Sequence, residues 1–293
     1  MAMNAKVVIR TALRDGVTRL RESYYTPPFK VVNITEDKKS TLLHLMLMCS
    51  SPGVLDEDAY TIRLDMEEGS RLQWHTQSYQ RLFQMEKGAS QLMEVRLGVG
   101  ASFCYLPHPC VPHAHSIFTG RNKIFLSEGA KLIWGEVLTC GRKLNGEVFR
   151  FSKYHTITEV MREGKLVLRE NINLQPSVMD LSALGQLEGY THQASLLHMG
   201  GAGSGKADIF QKEIIDYLEQ TSRQVRLPEP EGGRSQPGIL AAGTGQELLS
   251  AVSTGPGDSL VVRILGNRAE QLHECLKGIA GILSVTQPLA YAG

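Results

Sequence analysis

Hydrophobic and polar residues alternate singly along most of the first two thirds of the chain. Tyr60, Ile62, Leu64 and Met66 alternate with Thr61, Arg63 and Asp65; Met93, Val95, Leu97 and Val99 alternate with Glu94, Arg96 and Gly98. A period of two puts the two sets on opposite faces of an extended segment, so each run predicts a strand with one buried face. Similar short runs lie at residues 72–79, 123–126, 131–138, 148–157 and 166–174, separated by turn-rich pieces such as Glu67-Glu68-Gly69-Ser70, Gly120-Arg121-Asn122 and Ser127-Glu128-Gly129. Strands at this spacing without helices between them predict stacked antiparallel sheets, not βαβ units.

The period changes twice late in the chain. Ile209/Phe210, Ile214 and Tyr217/Leu218 recur at helical spacing up to about Thr221, and Ala269, Leu272, Leu276, Ile279/Ala280 and Leu283 do the same. Asn267, with Glu270 three residues on, resembles a capping box. Between the two helical stretches, residues 227–246 are rich in Pro and Gly and read as a long surface loop. No repeat of 20–50 residues is evident in the sequence. The pattern predicts one mainly β domain over residues 1–293, of stacked antiparallel or mixed sheets with two late helices.

Composition narrows the function more than the fold. With 293 residues, 42% hydrophobic and 21% charged, the chain has the make-up of a folded protein with a substantial core. A formal charge of +1 argues against nucleic acid or an anionic membrane as partner. Five cysteines, an odd number without a CxxC, fit a reducing cytosol. No stretch near the start has the apolar length of a signal sequence, and the longest apolar run, residues 42–49, contains His44 and is too short to span a bilayer. The expected location is cytoplasmic.

Three segments carry candidate chemistry. Gly200-Gly201-Ala202-Gly203-Ser204-Gly205-Lys206-Ala207 has the spacing of a phosphate-binding loop, with a predicted strand before it and a helix after. Ala207, however, stands where a hydroxyl should ligate magnesium, and a flexible turn into a helix is the plainer reading. In His108-Pro109-Cys110-Val111-Pro112-His113-Ala114-His115 four borderline or soft ligands, His108, Cys110, His113 and His115, fall within eight residues; His113 and His115 would share a face if the segment were extended. The alternative is a proline-stiffened surface segment with solvated histidines. Arg142 with Glu147 and Glu136 could do acid–base work, but reads more simply as an ion pair across a hairpin turned at Asn145-Gly146.

Taken in order, several motifs resemble the UreD (UreH) family of urease accessory proteins. Tyr24-Tyr25-Thr26-Pro27-Pro28-Phe29-Lys30 is similar to its Pro-Phe-Lys segment, Ser51-Pro52-Gly53-Val54-Leu55-Asp56-Glu57-Asp58 to its stretch ending in Gly-Asp, and His75-Thr76-Gln77-Ser78 to its Thr-Thr-Gln-Ser strand. Tyr105-Leu106-Pro107-His108-Pro109 running on to Val111-Pro112-His113, Gly141-Arg142 with Gly146-Glu147-Val148-Phe149, Gly189-Tyr190-Thr191-His192 and Val262-Arg263-Ile264-Leu265-Gly266 complete the series. Departures are Glu57 for a glycine, His75 for a threonine and His113 for an aromatic residue. The resemblance implies a non-enzymatic, mainly β scaffold. Its implied partners are the helical protein UreF, the GTPase UreG, which binds the GTP, and urease apoprotein. No cofactor is tightly bound in that reading, and nickel is transient cargo. Asp58, Thr76, Gln77, Arg142, Glu147 and Glu170, polar residues of these motifs and strands, are candidates for a nickel path or a partner-facing surface. The alternatives are a metal-dependent enzyme of cupin type and a nucleotide-binding protein using residues 200–206.

Overall fold

Inward-facing apolar residues at every second position build two stacked sheets, whose shared core carries the bulkiest side chains. The computed structural model describes residues 2–200, 206–224 and 248–284. The expected loop at 227–246 and most of the glycine-rich segment at 200–206 lie outside them. The chain opens with a hairpin, β1 (Asn4–Arg14) and β2 (Val17–Tyr25), followed by β3 (Phe29–Asn33) and β4 (Leu42–Cys49). Then come β5 (Ala59–Met66), β6 (Arg71–Thr76), the short β7 (Gln80–Leu82), β8 (Ala89–Leu97), β9 (Ser102–Tyr105) and the short β10 (Cys110–Pro112). They are succeeded by β11 (Ile117–Leu126), β12 (Lys131–Thr139), β13 (Lys153–Arg162), β14 (Lys165–Leu174) and β15 (His192–Met199). Helix α1 (Ala207–Gln224), β16 (Leu249–Gly255), β17 (Ser259–Gly266) and helix α2 (Ala269–Leu283) complete the described chain.

The first sheet runs β14-β13-β11-β8-β5-β1-β2 and the second β16-β17-β15-β12-β9-β6-β4-β3. From β5 to β13 the chain alternates between them, so strands that are neighbours in one sheet run in the same direction: β5 with β8, β8 with β11, β11 with β13, β6 with β9 and β9 with β12 are all parallel. The expectation of antiparallel pairing is corrected over this stretch; the sheets are mixed. The short turns after β5, β8 and β11 join strands of opposite sheets, not hydrogen-bonded neighbours. Those corners stack. Gly69 N–H donates to the Val99 carbonyl at 2.8 Å and Gly100 N–H to the Glu128 carbonyl at 2.9 Å. Gly69, Gly100 and Gly129 all adopt positive φ, between +63° and +68°, where glycine bears no steric penalty. One turn of the winding thus takes roughly 30 residues, and the expectation of no sequence repeat is corrected at its corners: Glu68-Gly69-Ser70-Arg71-Leu72-Gln73-Trp74 is similar to Glu128-Gly129-Ala130-Lys131-Leu132-Ile133-Trp134, two turns apart.

The core between the sheets holds Trp74, Trp134, Phe103, Leu64, Leu72, Met93, Leu97, Ile124 and Leu132. A second cluster lies on the far face of the second sheet, where Leu272, Leu276, Ile279 and Leu283 of α2, with Ile214 and Leu218 of α1, cover Leu196, Val262 and Ile264. Both helices match the periodicity, and α2 serves to cover the sheet. Its start does not match the expected capping box. Arg268 is the N-cap and makes no side-chain cap, while the Asn267 side chain accepts from the Thr191 N–H and hydroxyl and Glu270 accepts from the Tyr79 hydroxyl. Nor is there a hairpin at Asn145-Gly146. A short 3-10 helix, Lys143–Asn145, fills that place, and β13 begins only at Lys153.

Candidate functional site

Polar side chains at inward positions interrupt the core, and three cavities open beside them, the first two sharing a wall. The first, about 100 Å³, lies where β4, β6 and the segment before β7 come together; its walls include Cys49, Tyr60, Thr76, Gln77, Tyr105 and His108. The second, about 40 Å³, shares Gln80, Gln91, Tyr105, Pro107 and His108 with the first and continues past Cys110, Tyr154 and Thr156 to Asn122 and Glu136. At ~10–15 Å³ for a water molecule, each has room for water. Gln80 Nε2 donates to Gln91 Oε1 at 3.3 Å across the shared wall. The third, about 680 Å³, is lined by Glu170, Asn171, Asn173, Gln193, Ser195, Ser250 and Arg263, from β14 on one sheet and β15, β16 and β17 on the other.

Glu136 lines the second cavity, and the strand register sets it opposite Ser195, which lines the third. It follows Leu132 and Trp134 at the inward positions of β12, so its carboxylate is delivered between the sheets. Its Oε1 accepts from Trp134 Nε1 at 3.0 Å and from Asn122 Nδ2 at 3.1 Å, and Asn122 also donates to Thr158 Oγ1 at 2.9 Å. Removal from bulk water, and then the like charge of Glu170, push the Glu136 carboxyl up to about 7; the two donors pull the other way. Glu170, 7% exposed, accepts from Arg263 at 3.0 Å and from the Ser195 hydroxyl at 3.4 Å. Two carboxylates close enough to repel each other form a place where a cation is stabilised, and Arg263 supplies one to Glu170. Burial raises the Tyr105 and Tyr154 phenols and the Cys110 thiol and lowers the His108 imidazole, so these groups are neutral, while Arg81 brings a guanidinium to the wall of the first cavity.

The residues singled out from the sequence fall into separate places. Thr76, Gln77 and Glu170 line the cavities. Asp58 lies behind that wall, 1% exposed, and its carboxylate accepts from Met3 N–H at 2.9 Å, Leu55 N–H at 2.9 Å and the Tyr60 hydroxyl at 2.7 Å. Arg142 and Glu147 form a two-pronged ion pair beside the chain at Ala114, whose N–H donates to Glu147 at 3.1 Å. Arg142 holds the Glu147 carboxyl below its usual range, and Glu136 has no part in this pair. The four candidate metal ligands are not brought together. Cys110 and His108 line the cavities, His113 packs edge-on against Phe83, and His115, exposed with φ +61°, lies beyond the strand, so it does not share an extended face with His113. Among the described residues no three His, Cys, Asp or Glu side chains form a group that could hold a metal ion.

Comparison with known proteins decides the family. The family model described as UreD urease accessory protein matches residues 3–290. The urease accessory protein UreD of Flavobacterium johnsoniae is 39% identical over 274 residues, covering 94% of this chain and 90% of the relative. UreD of Acetivibrio thermocellus is 33% identical over 280 residues, covering 95% and 97%, and that of Haemophilus influenzae strain 86-028NP is 33% identical over 291 residues, covering 96% and 99%. The chain belongs to the UreD family.

In this UreD-family chain the matched motifs supply part of the lining of the three cavities and miss the middle of it. Asn122, Gln80, Gln91 and Ser195 lie outside those motifs, Arg263 stands in the matched Val262–Gly266 segment, and Glu136 reads from the sequence as a partner of Arg142. The signal for Glu136 was present, as a carboxylate in phase with Leu132, Trp134 and Leu138 on one apolar strand. The pairing of Arg263 with Glu170 is not legible, because the two are 93 residues apart in sequence.

Proposed function

We propose that this UreD-family chain is a non-enzymatic scaffold of urease maturation, which holds UreF, UreG and urease apoprotein together and lets nickel pass between its two sheets. The observation that carries this reading is the pair Glu136, half-buried, and Glu170, buried, beside cavities walled mainly by amides, hydroxyls and neutral rings, with the guanidinium groups of Arg81 and Arg263 at the outer two. Such a wall offers oxygen and imidazole ligands that nickel accepts, none numerous enough to trap it, as a path requires. Glu136, with its carboxyl at about 7, exchanges a proton for a passing cation at neutral pH. The ion stabilises the carboxylate as it arrives, and protonation stabilises the site once it has left. Arg263 neutralises part of the charge on Glu170 and so keeps the attraction moderate. The test is Glu170→Gln, which keeps the size of the side chain and removes its charge. Affinity purification should recover the accessory complex intact, and urease activation in the same cells should fall. Full activation would remove the passage from the account, and loss of the complex would make Glu170 structural.

A further inference from the structure

Outside the passage, two histidines meet on the outer face of the second sheet. His44 of β4 and His75 of β6 are both half-buried, and His44 Nδ1 lies 3.1 Å from His75 Nε2. A contact this short cannot join two imidazolium rings; at least one is neutral and offers its lone pair. The rings lie within 17° of parallel with centroids 5.4 Å apart, so the nitrogens are nearly in line, as in an N–H···N hydrogen bond. Two metal–imidazole bonds of about 2.1 Å at a right angle hold their nitrogens about 3.0 Å apart, the spacing already present here. Rotation of each ring about its last side-chain bond would point both lone pairs at one ion. The bridging hydrogen then moves to the other nitrogen of its own ring, so no net proton is released. Across the β4–β6 pairing from His44 stands Gln73, whose Oε1 is buried without a hydrogen-bond partner among the described residues. The negative charge of Glu36 reaches His44, and the positive charge of Lys277, itself bonded to Glu274, reaches His75, so the field favours neither tight capture nor exclusion.

We infer that His44 and His75 form a weak two-imidazole site for a divalent transition metal, completed by water, and that it serves as an outer stop before the passage. His75 lies within electrostatic reach of His108, whose ring lines the first cavity and bonds Thr76 at 3.1 Å. The role as an outer stop rests on the passage proposed above; metal binding by the pair does not.

The test is equilibrium dialysis of the full-length protein, without a polyhistidine tag, against nickel chloride at pH 7.5. Circular dichroism checks that each variant is folded. The wild type should bind one equivalent, and both His75→Thr and His44→Gln should weaken that binding at least tenfold. No binding by the wild type, or unchanged binding by the two variants, overturns the site. So does loss of binding in His115→Ala with retention in the other two, which would transfer the metal to residues 108–115. If the histidine variants bind normally while Glu170→Gln still lowers urease activation, the outer stop fails and the passage stands. If His75→Thr loses the metal while Glu170→Gln activates urease fully, the site stands and the route fails.

Discussion

Replacing Glu136 by glutamine should stabilise this protein at high pH and hardly affect it at low pH. Glutamine keeps an oxygen for Trp134 Nε1 and Asn122 Nδ2 and cannot ionise. In the folded wild type the carboxyl is raised from 4.5 to about 7, first by burial and then by Glu170. Below pH 4.5 the side chain is protonated whether the protein is folded or not, and the group contributes no pH dependence. Between 4.5 and 7 the unfolded chain has lost the proton while the folded chain keeps it, so stability falls as pH rises. Above 7 both states are ionised and the cost levels off at about 3 kcal/mol, taking 1.36 kcal/mol for each pH unit. Groups remote from Glu136 titrate alike in both proteins, so their contributions cancel in the comparison. Urea unfolding of wild type and Glu136→Gln at pH 5 and pH 8 should therefore show the variant's advantage growing by about 2–3 kcal/mol. In a Glu170→Gln background the growth should be smaller, because the like charge is gone. An advantage that does not change with pH, or a wild type more stable than the variant at pH 8, would refute the placement of Glu136 in a site that resists its charge.

Other expectations follow from packing and from the motifs. Asp58→Ala leaves two backbone N–H groups and a buried phenol without their acceptor, and should cost about 2–4 kcal/mol in a denaturant titration; no loss would mean that water replaces the carboxylate. Leu276→Ala, at a helix position 1% exposed against the second sheet, should cost about 2–5 kcal/mol by the same measurement, and a neutral result would contradict the packing of α2. Calorimetry with magnesium and ATP or GTP should show no binding, since Ala207 at the start of α1 has no hydroxyl for the metal; micromolar affinity would revive the nucleotide-binding alternative.

Strand positions and helices were readable because burial on one face imposes a period of two or of 3.6 residues, as in β5 and α2. The direction of pairing was not. A corner such as Glu67–Ser70 has the same composition whether it closes a hairpin or carries the chain from one sheet to the other, and here it does the second. The hairpin reading of Asn145-Gly146 failed for a related reason: Gly146 supplies the left-handed turn, at φ +80°, but closes a short helix. The site was half visible. Glu170 and Thr76 stand out as polar residues in the matched motifs and strands, and both line cavities. Asp58 stands out equally, yet is held by three hydrogen bonds behind the wall. Contacts between distant strands decide which is which, and a single sequence does not record them. His44 and His75, 31 residues apart, were hidden for the same reason.

Nickel carried by urease, measured with both charges of the passage removed, tests the central claim most directly. Glu136→Gln with Glu170→Gln preserves the shape of the two side chains and abolishes their charge. Urease would be purified from cells producing this variant or the wild type, with the accessory complex verified by co-purification and nickel per active site read by elemental analysis. The account predicts an assembled complex and urease that is deficient in nickel. Urease with its full nickel content from cells in which only the double variant is present would contradict it.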